Sequence, residues 1–272
     1  MKIYPKTSER LEGLDKLISF VEKYKGIELQ YFDKEGTMNE FDIEPPIEKL
    51  MEKVPYIKEI TIHPPLLNYD IECIMMKDIN IIKKQLRSLR ELSEKYNIKL
   101  NINYHTEWNF KVHKETTIDL FKEILKEIEG TNVILLIENL YMFDEDKCCV
   151  FELANYINHP NLKVCFDICH MYCKVNIYKT NVESYIKNYL NKEICRKFVY
   201  QVHFSYTTNN DGYVERNTHG RVHRNIEELK YDYELMKSYG MGECNYITEI
   251  SEEDYSNRVD QLKELEMLEK VK

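Results

Sequence analysis

The 272-residue sequence contains no G-x-G-x-x-G turn and no Walker A string, so it lacks the phosphate-cradling loops that announce nucleotide-binding open sheets. No apolar run is long enough to span a bilayer, and no membrane partner is expected. Basic charge is in deficit: 38 Lys and Arg against 47 Asp and Glu leave a formal net charge of -9. That balance excludes a sequence-independent polyanion coat, although it leaves room for a local basic groove. With 8 Gly and 7 Pro, and no linker, low-complexity tract or short-period repeat, residues 1–272 are expected to form one domain. No charged-then-apolar leader stands at the start, so the 8 cysteines are read as reduced thiols in a cytoplasmic protein. Cys165, Cys169 and Cys173 are spaced like iron–sulfur ligands but are read as small buried hydrophobes. No obligate protein partner is evident.

What the chain does have is alternation. Short runs rich in Ile, Val, Tyr and Phe recur at residues 1–5, 27–32, 57–63, 98–105, 132–138, 162–167, 197–204 and 244–250. Between them stand charged segments with Leu and Ile at three- and four-residue steps, such as RLEGLDKLISFVEKY, INIIKKQLRSLRELSEKY, TIDLFKEILKEIE and NIEELKYDYELMKSY. Eight strands alternating with helices make a parallel sheet, and without a Gly-rich turn the expected form is a closed (β/α)8 TIM barrel. The longest irregular stretch, from about Ser205 to Asn225, falls between the seventh and eighth strands.

Active sites of such barrels lie at the carboxyl ends of the strands. Here those ends carry His63, His105, Glu138, Asp167 with His170 just after it, His203 and Glu249. Imidazoles and carboxylates together suit zinc, manganese or iron(II), and carboxylates gathered at one mouth would repel one another without a cation. Of the 8 histidines, His63, His105, His170, His203 and His223 fall at strand ends or in the loops after them, where random placement would scatter some onto exposed helices. Arg221 and Arg224 are candidate phosphate contacts, and Trp108, three residues past His105, is a candidate stacking platform.

Several strings resemble those of the endonuclease IV family (AP endonuclease family 2), within the xylose isomerase-like TIM barrel superfamily. VCFDICHMY resembles the D-T-C-H segment and carries Asp167 and His170; HPPLLNYD carries His63, YHTEW carries His105, LLIENLY resembles I-E-N-T and carries Glu138, and QVHF and ITEIS carry His203 and Glu249. The resemblance implies two or three divalent metal ions, zinc first, with manganese or iron as alternatives. It implies that His63, His105 and Glu138 hold one ion, that Glu138, Asp167, His203 and Glu249 hold a second, and that Glu138 bridges the two. His170 would serve a third, whose other ligands come from a D-R-H segment in the family. The nearest text here is THGRVHRN, and anchoring it on Arg221 and Val222 puts His223 at the Asp position and Asn225 at the His position. The Gly-rich segment that follows in the family is replaced by NIEELKYDYELMK, and YFDKEGTMNEF does not match the family's DNA-penetrating loop.

Two activities are therefore expected as alternatives. One is metal-dependent phosphodiester hydrolysis at abasic or damaged DNA, a DNA-repair reaction, with Glu138 and Glu249 as catalytic carboxylates. The other is isomerisation or epimerisation of a small sugar at a one-metal site made by Glu138, Asp167, His203 and Glu249, with the two glutamates as paired acid and base. A barrel that binds metal without turnover is the non-enzymatic alternative.

Overall fold

Successive residues of a strand point to opposite faces of its sheet, and the structure shows where each set goes. A computed structural model describes residues 1–32, 41–65, 71–106, 114–139, 149–177, 190–206, 220–252 and 255–272. Its elements run β1 (Lys2–Tyr4), β2 (Lys6–Ser8), α1 (Leu14–Tyr24), β3 (Gly26–Gln30), α2 (Glu44–Lys53), β4 (Glu59–His63), α3 (Ile71–Tyr96), β5 (Lys99–Thr106), α4 (Lys114–Leu125), β6 (Val133–Asn139), α5 (Cys149–Ile157), β7 (Leu162–Asp167), α6 (Ile168–Ile177), α7 (Lys192–Phe198), β8 (Val199–Phe204), α8 (Ile226–Ser238), β9 (Asn245–Thr248) and α9 (Val259–Val271).

All neighbouring strands pair in parallel, in the order β1-β9-β8-β7-β6-β5-β4-β3-β2. The two ends of that order, β1 and β2, are separated in sequence by Pro5 alone, so one N-terminal segment bonds to β9 with its first half and to β3 with its second. Among the described residues nine strands are present rather than the expected eight because Pro5 has no N–H to donate and interrupts the ladder, while its carbonyl still accepts from Glu28 N at 2.9 Å. The result is a nearly closed parallel barrel wrapped by helices. The strand ending near Phe204 starts later than its apolar run suggests: Lys197 and Phe198 complete the last turn of α7.

Residues facing outward are apolar and pack under the helices: Ile60 and Ile62 from β4, Leu100, Ile102 and Tyr104 from β5, and Leu135 and Ile137 from β6 belong to one large core with Leu17, Val21, Leu86, Leu89 and Phe121. The alternate residues face into the barrel, and most are polar. Thr61 Oγ1 donates to Gln201 Oε1 at 2.9 Å, and Gln201 Nε2 donates to Glu28 at 2.8 Å, bonds between strands that only closure brings together. Only Ile134, Leu136 and Cys165 make a small apolar cluster of their own, with Tyr200 against it.

The amino-end floor of the barrel is a hydrogen-bonded carboxylate. Buried Glu59 accepts from Tyr4 Oη at 2.8 Å, Asn101 Nδ2 at 3.0 Å, Asn245 Nδ2 at 3.1 Å and the Tyr200 hydroxyl. These donors satisfy a charge that would otherwise be costly to bury. The Tyr4 ring reaches Glu59 by crossing the backbone of Gly26, where an added Cβ would lie 2.3 Å from the ring. Gly26→Ala is therefore expected to lower unfolding free energy by about 1–3 kcal/mol, the usual cost of overpacking. Denaturant titration checks this, and unchanged stability would show that Tyr4 can move aside.

Candidate metal centre

Polar inward positions continue up the barrel and end at the carboxyl mouth in titratable side chains. His63 closes β4, His105 lies one residue from the end of β5, Glu138 one residue from the end of β6, Asp167 closes β7, His203 lies one residue from the end of β8, and Glu249 follows β9 directly. Register places them at matching heights: His105 pairs with Glu138 and Asp167 with His203.

Glu138 is at the middle. Its Oε1 lies 3.3 Å from His203 Nδ1, 3.4 Å from His170 Nδ1 and 3.6 Å from His105 Nε2, and its Oε2 lies 3.6 Å from His63 Nε2. Asn103 Nδ2 donates to the same Oε2. His203 Nδ1 is also 2.7 Å from Glu249 Oε2 and 3.9 Å from Asp167 Oδ2. Two donor sets result, each with its atoms within 4.8 Å of one another: His63, Glu138 and His203, and Glu138, Asp167, His203 and Glu249. His105 aims its Nε2 at Glu138, and its ring lies 5.1 Å from the His63 ring.

The donor set fits divalent metal. Nε2 of His63, Oε1 of Glu138 and Nδ1 of His203 are buried and make no hydrogen bond, although all three converge on one volume. Buried polar atoms are normally satisfied, and imidazole nitrogen with carboxylate oxygen is the chemistry that zinc, manganese and iron(II) accept. Burial alone would push the Glu138 carboxyl up, but His203 and His105 outweigh it and hold it well below the usual carboxylate range. Burial, helped by Lys6, lowers His63 and keeps that imidazole neutral, the form that can donate a lone pair. For His203 burial works the same way, yet Cys165 and the carboxylates of Glu138, Glu249 and Glu28 overcome it and raise its pKa. Positive charge is what this position demands.

Behind the donors stand residues that sequence reasoning missed. Glu28 Oε2 lies 3.0 Å from His203 Nε2, and Lys6 Nζ bridges Glu28 Oε1 at 2.9 Å and Glu249 Oε1 at 2.6 Å. Asn139 accepts from Asp167 N at 2.7 Å and donates to Asp167 O at 3.0 Å, fixing the end of β7. For Glu28 and Lys6 the only signal is a charged side chain within a strand, as in GIELQ and KTS.

The remaining candidates divide. His170, in the first turn of α6, borders the cluster: its backbone N–H donates to Asp167 Oδ1 at 2.7 Å, and its Nδ1 is 2.7 Å from Asn139 O. Exposed Arg224 pairs with Glu228 and lies over the Tyr206 ring at 5.4 Å, while Arg221 joins Tyr206 in a two-residue antiparallel bridge. Trp108 lies outside the described residues.

His223 is not at the mouth. It stacks on Phe204, with ring centroids 5.2 Å apart, and Phe204 faces away from the barrel because its neighbour His203 faces in. Both ring nitrogens have carboxylate partners, Nε2 with Asp232 at 3.1 Å and Nδ1 with Glu264, and Glu264 also accepts from His223 N at 3.0 Å. Burial would lower its pKa, but Asp232 and Glu264 raise it from 6.5 to about 9. A pKa raised by folding adds stability that is complete below the unfolded value and disappears as pH rises through the folded one. Wild-type stability should thus fall between pH 6.5 and about 9 by a component that His223→Gln lacks, as measured by denaturant titration across that range. Parallel pH profiles for the two proteins would contradict the ion-pair assignment.

The solved structures that share this architecture span several chemistries. A D-tagatose 3-epimerase-like protein is 19% identical over 100% of this chain and 98% of its own, with a TM-score of 0.57. The IOLI protein with a binding zinc atom is 17% identical over 100% and 96%, TM-score 0.64, and endonuclease IV from Thermus thermophilus is 15% identical over 99% and 100%, TM-score 0.62. At such identities the likeness is one of fold. A search of curated proteins finds no match. The family model described as xylose isomerase-like TIM barrel matches residues 51–264, well over half of the sequence, and the chain belongs to that family.

Proposed function

We propose that the chain is a metal-dependent phosphodiester hydrolase of the endonuclease IV kind, acting on DNA at abasic or otherwise damaged sites. The observation that carries this reading is the position of Glu138: its carboxylate belongs to two donor sets that share His203, one with His63 and one with Asp167 and Glu249, while His105 Nε2 approaches its Oε1 at 3.6 Å. A single ion in the four-donor set would leave His63 Nε2, buried and without a hydrogen bond, outside it.

Divalent cations held by these residues would lower the pKa of water and stabilise charge on a phosphoryl group in transfer. The protein's part is orientation and charge. Asn103 holds Glu138 Oε2, Asn139 holds the backbone of Asp167, and Glu28 holds Nε2 of His203, so each donor points inward before substrate arrives. Glu28, Glu138, Asp167 and Glu249 against Lys6 give the cluster a net charge of about -3, which two divalent cations would make positive and one would not. A phosphodiester, itself an anion, is attracted only in the doubly loaded case. His170 at the rim and the exposed Arg221 and Arg224 on the segment after β8 are the proposed further contacts to substrate or a third ion.

The four-donor set supports a second reading, a one-metal sugar isomerase or epimerase. That chemistry asks Glu249 to move a proton, and here its Oε1 is engaged by the Lys6 ammonium at 2.6 Å while only Oε2 faces the cluster. The hydrolase is favoured on that ground.

Incubating zinc- or manganese-loaded protein with an abasic duplex should give strand cleavage at the lesion. Glu138→Gln should reduce the rate more than about 100-fold, because even outer partners of metal donors are worth roughly 10–100-fold. Turnover of a ketose panel without cleavage of the duplex would transfer the assignment to the second reading.

A further inference from the structure

Lys6 occupies an unusual place for a lysine. Its side chain is buried against two carboxylates in the barrel mouth, and its ammonium touches Glu249, a candidate metal donor, on the oxygen turned away from His203. Glu28 is the other half, with Oε1 on the ammonium at 2.9 Å and Oε2 3.0 Å from His203 Nε2. Glu28 therefore links the lysine to His203, and Gln201 Nε2 bonds the same Oε2 at 2.8 Å.

Resting on the metal-dependent reading above, we propose that the pair has two opposed roles: Glu28 positions His203 for metal, while Lys6 is a built-in counterion that keeps the carboxylates assembled before metal arrives and weakens its binding afterwards. The first role follows from geometry. Glu28 Oε2 holds Nε2 of His203 at 3.0 Å, which turns Nδ1 into the cluster, 2.7 Å from Glu249 and 3.3 Å from Glu138. The second follows from charge. Without Lys6, Glu28 and Glu249 lose the ammonium that bridges them in a buried space, which is destabilising, and an incoming cation would meet one positive charge fewer.

The two roles predict effects of opposite sign, which a purely structural role does not. Zinc affinity is read by competition with a chromophoric chelator, and melting temperature is read with and without zinc. Glu28→Gln should bind zinc roughly 10–100-fold more weakly, as loss of an outer partner does. Lys6→Met should bind zinc roughly tenfold more tightly, melt lower than wild type without zinc, and recover with saturating zinc. Lys6→Arg, which keeps the cation, should behave as wild type. Should Lys6→Met fail to fold without metal, its recovery on refolding with zinc reads the same dependence. Weaker or unchanged zinc binding by Lys6→Met would overturn the counterion role. Wild-type affinity in Glu28→Gln would overturn the positioning role. If wild type takes up no zinc, the metal-dependent reading falls too; if zinc behaves as predicted but abasic DNA is not cut, the hydrolase reading falls alone.

Discussion

A carboxylate buried in a protein interior is tolerated only when positive charge or several donors face it, and Glu138 sets that requirement for the whole mouth of this barrel. Its two oxygens collect four imidazoles and one amide. Those imidazoles need carboxylates of their own, which brings Asp167, Glu249 and Glu28 into the same volume, and Glu28 and Glu249 in turn need Lys6. The chain of requirements runs around the barrel and ends with three inward atoms, His63 Nε2, Glu138 Oε1 and His203 Nδ1, that make ion-pair contacts but no hydrogen bond. The protein supplies a donor set of the chemistry that divalent metals accept.

The fold makes such a centre tolerable by separating its polar and apolar faces. Outward residues of the strands form the main hydrophobic core with the helices, and that core carries the stability. The barrel interior is released from that task and filled with Glu, Asn, Gln and Thr that bond across it, from the Glu59 floor to the Glu138 mouth. Pro5 completes the arrangement: by splitting the first strand it lets Tyr4 serve the floor and Lys6 the mouth.

Much of this was legible in the sequence because the barrel rule is topological. Once alternation indicates eight parallel strands, their last residues must share one mouth, and His63, His105, Glu138, Asp167, His203 and Glu249 do converge there. Where the rule ends, so does legibility. His223 lies in the right loop, but position along a loop does not tell which face of the sheet it meets, and Phe204 draws it outward to Asp232 and Glu264. Lys6 and Glu28 were invisible for the opposite reason: a charge within a strand reads as a solvated face until closure turns that face inward. Loops after the strands also meet substrate, and the loop segment with Trp108 lies outside the described residues.

The central claim is that Glu138 stands between two cation sites rather than beside one. Elemental analysis of the purified protein, paired with an anomalous-scattering map, tests it directly. The account predicts two ions per chain, one beside His63 and His105 and one beside Asp167, His203 and Glu249, with Glu138 between them. A single ion held by Glu138, Asp167, His203 and Glu249, with His63 and His105 uninvolved, would contradict it.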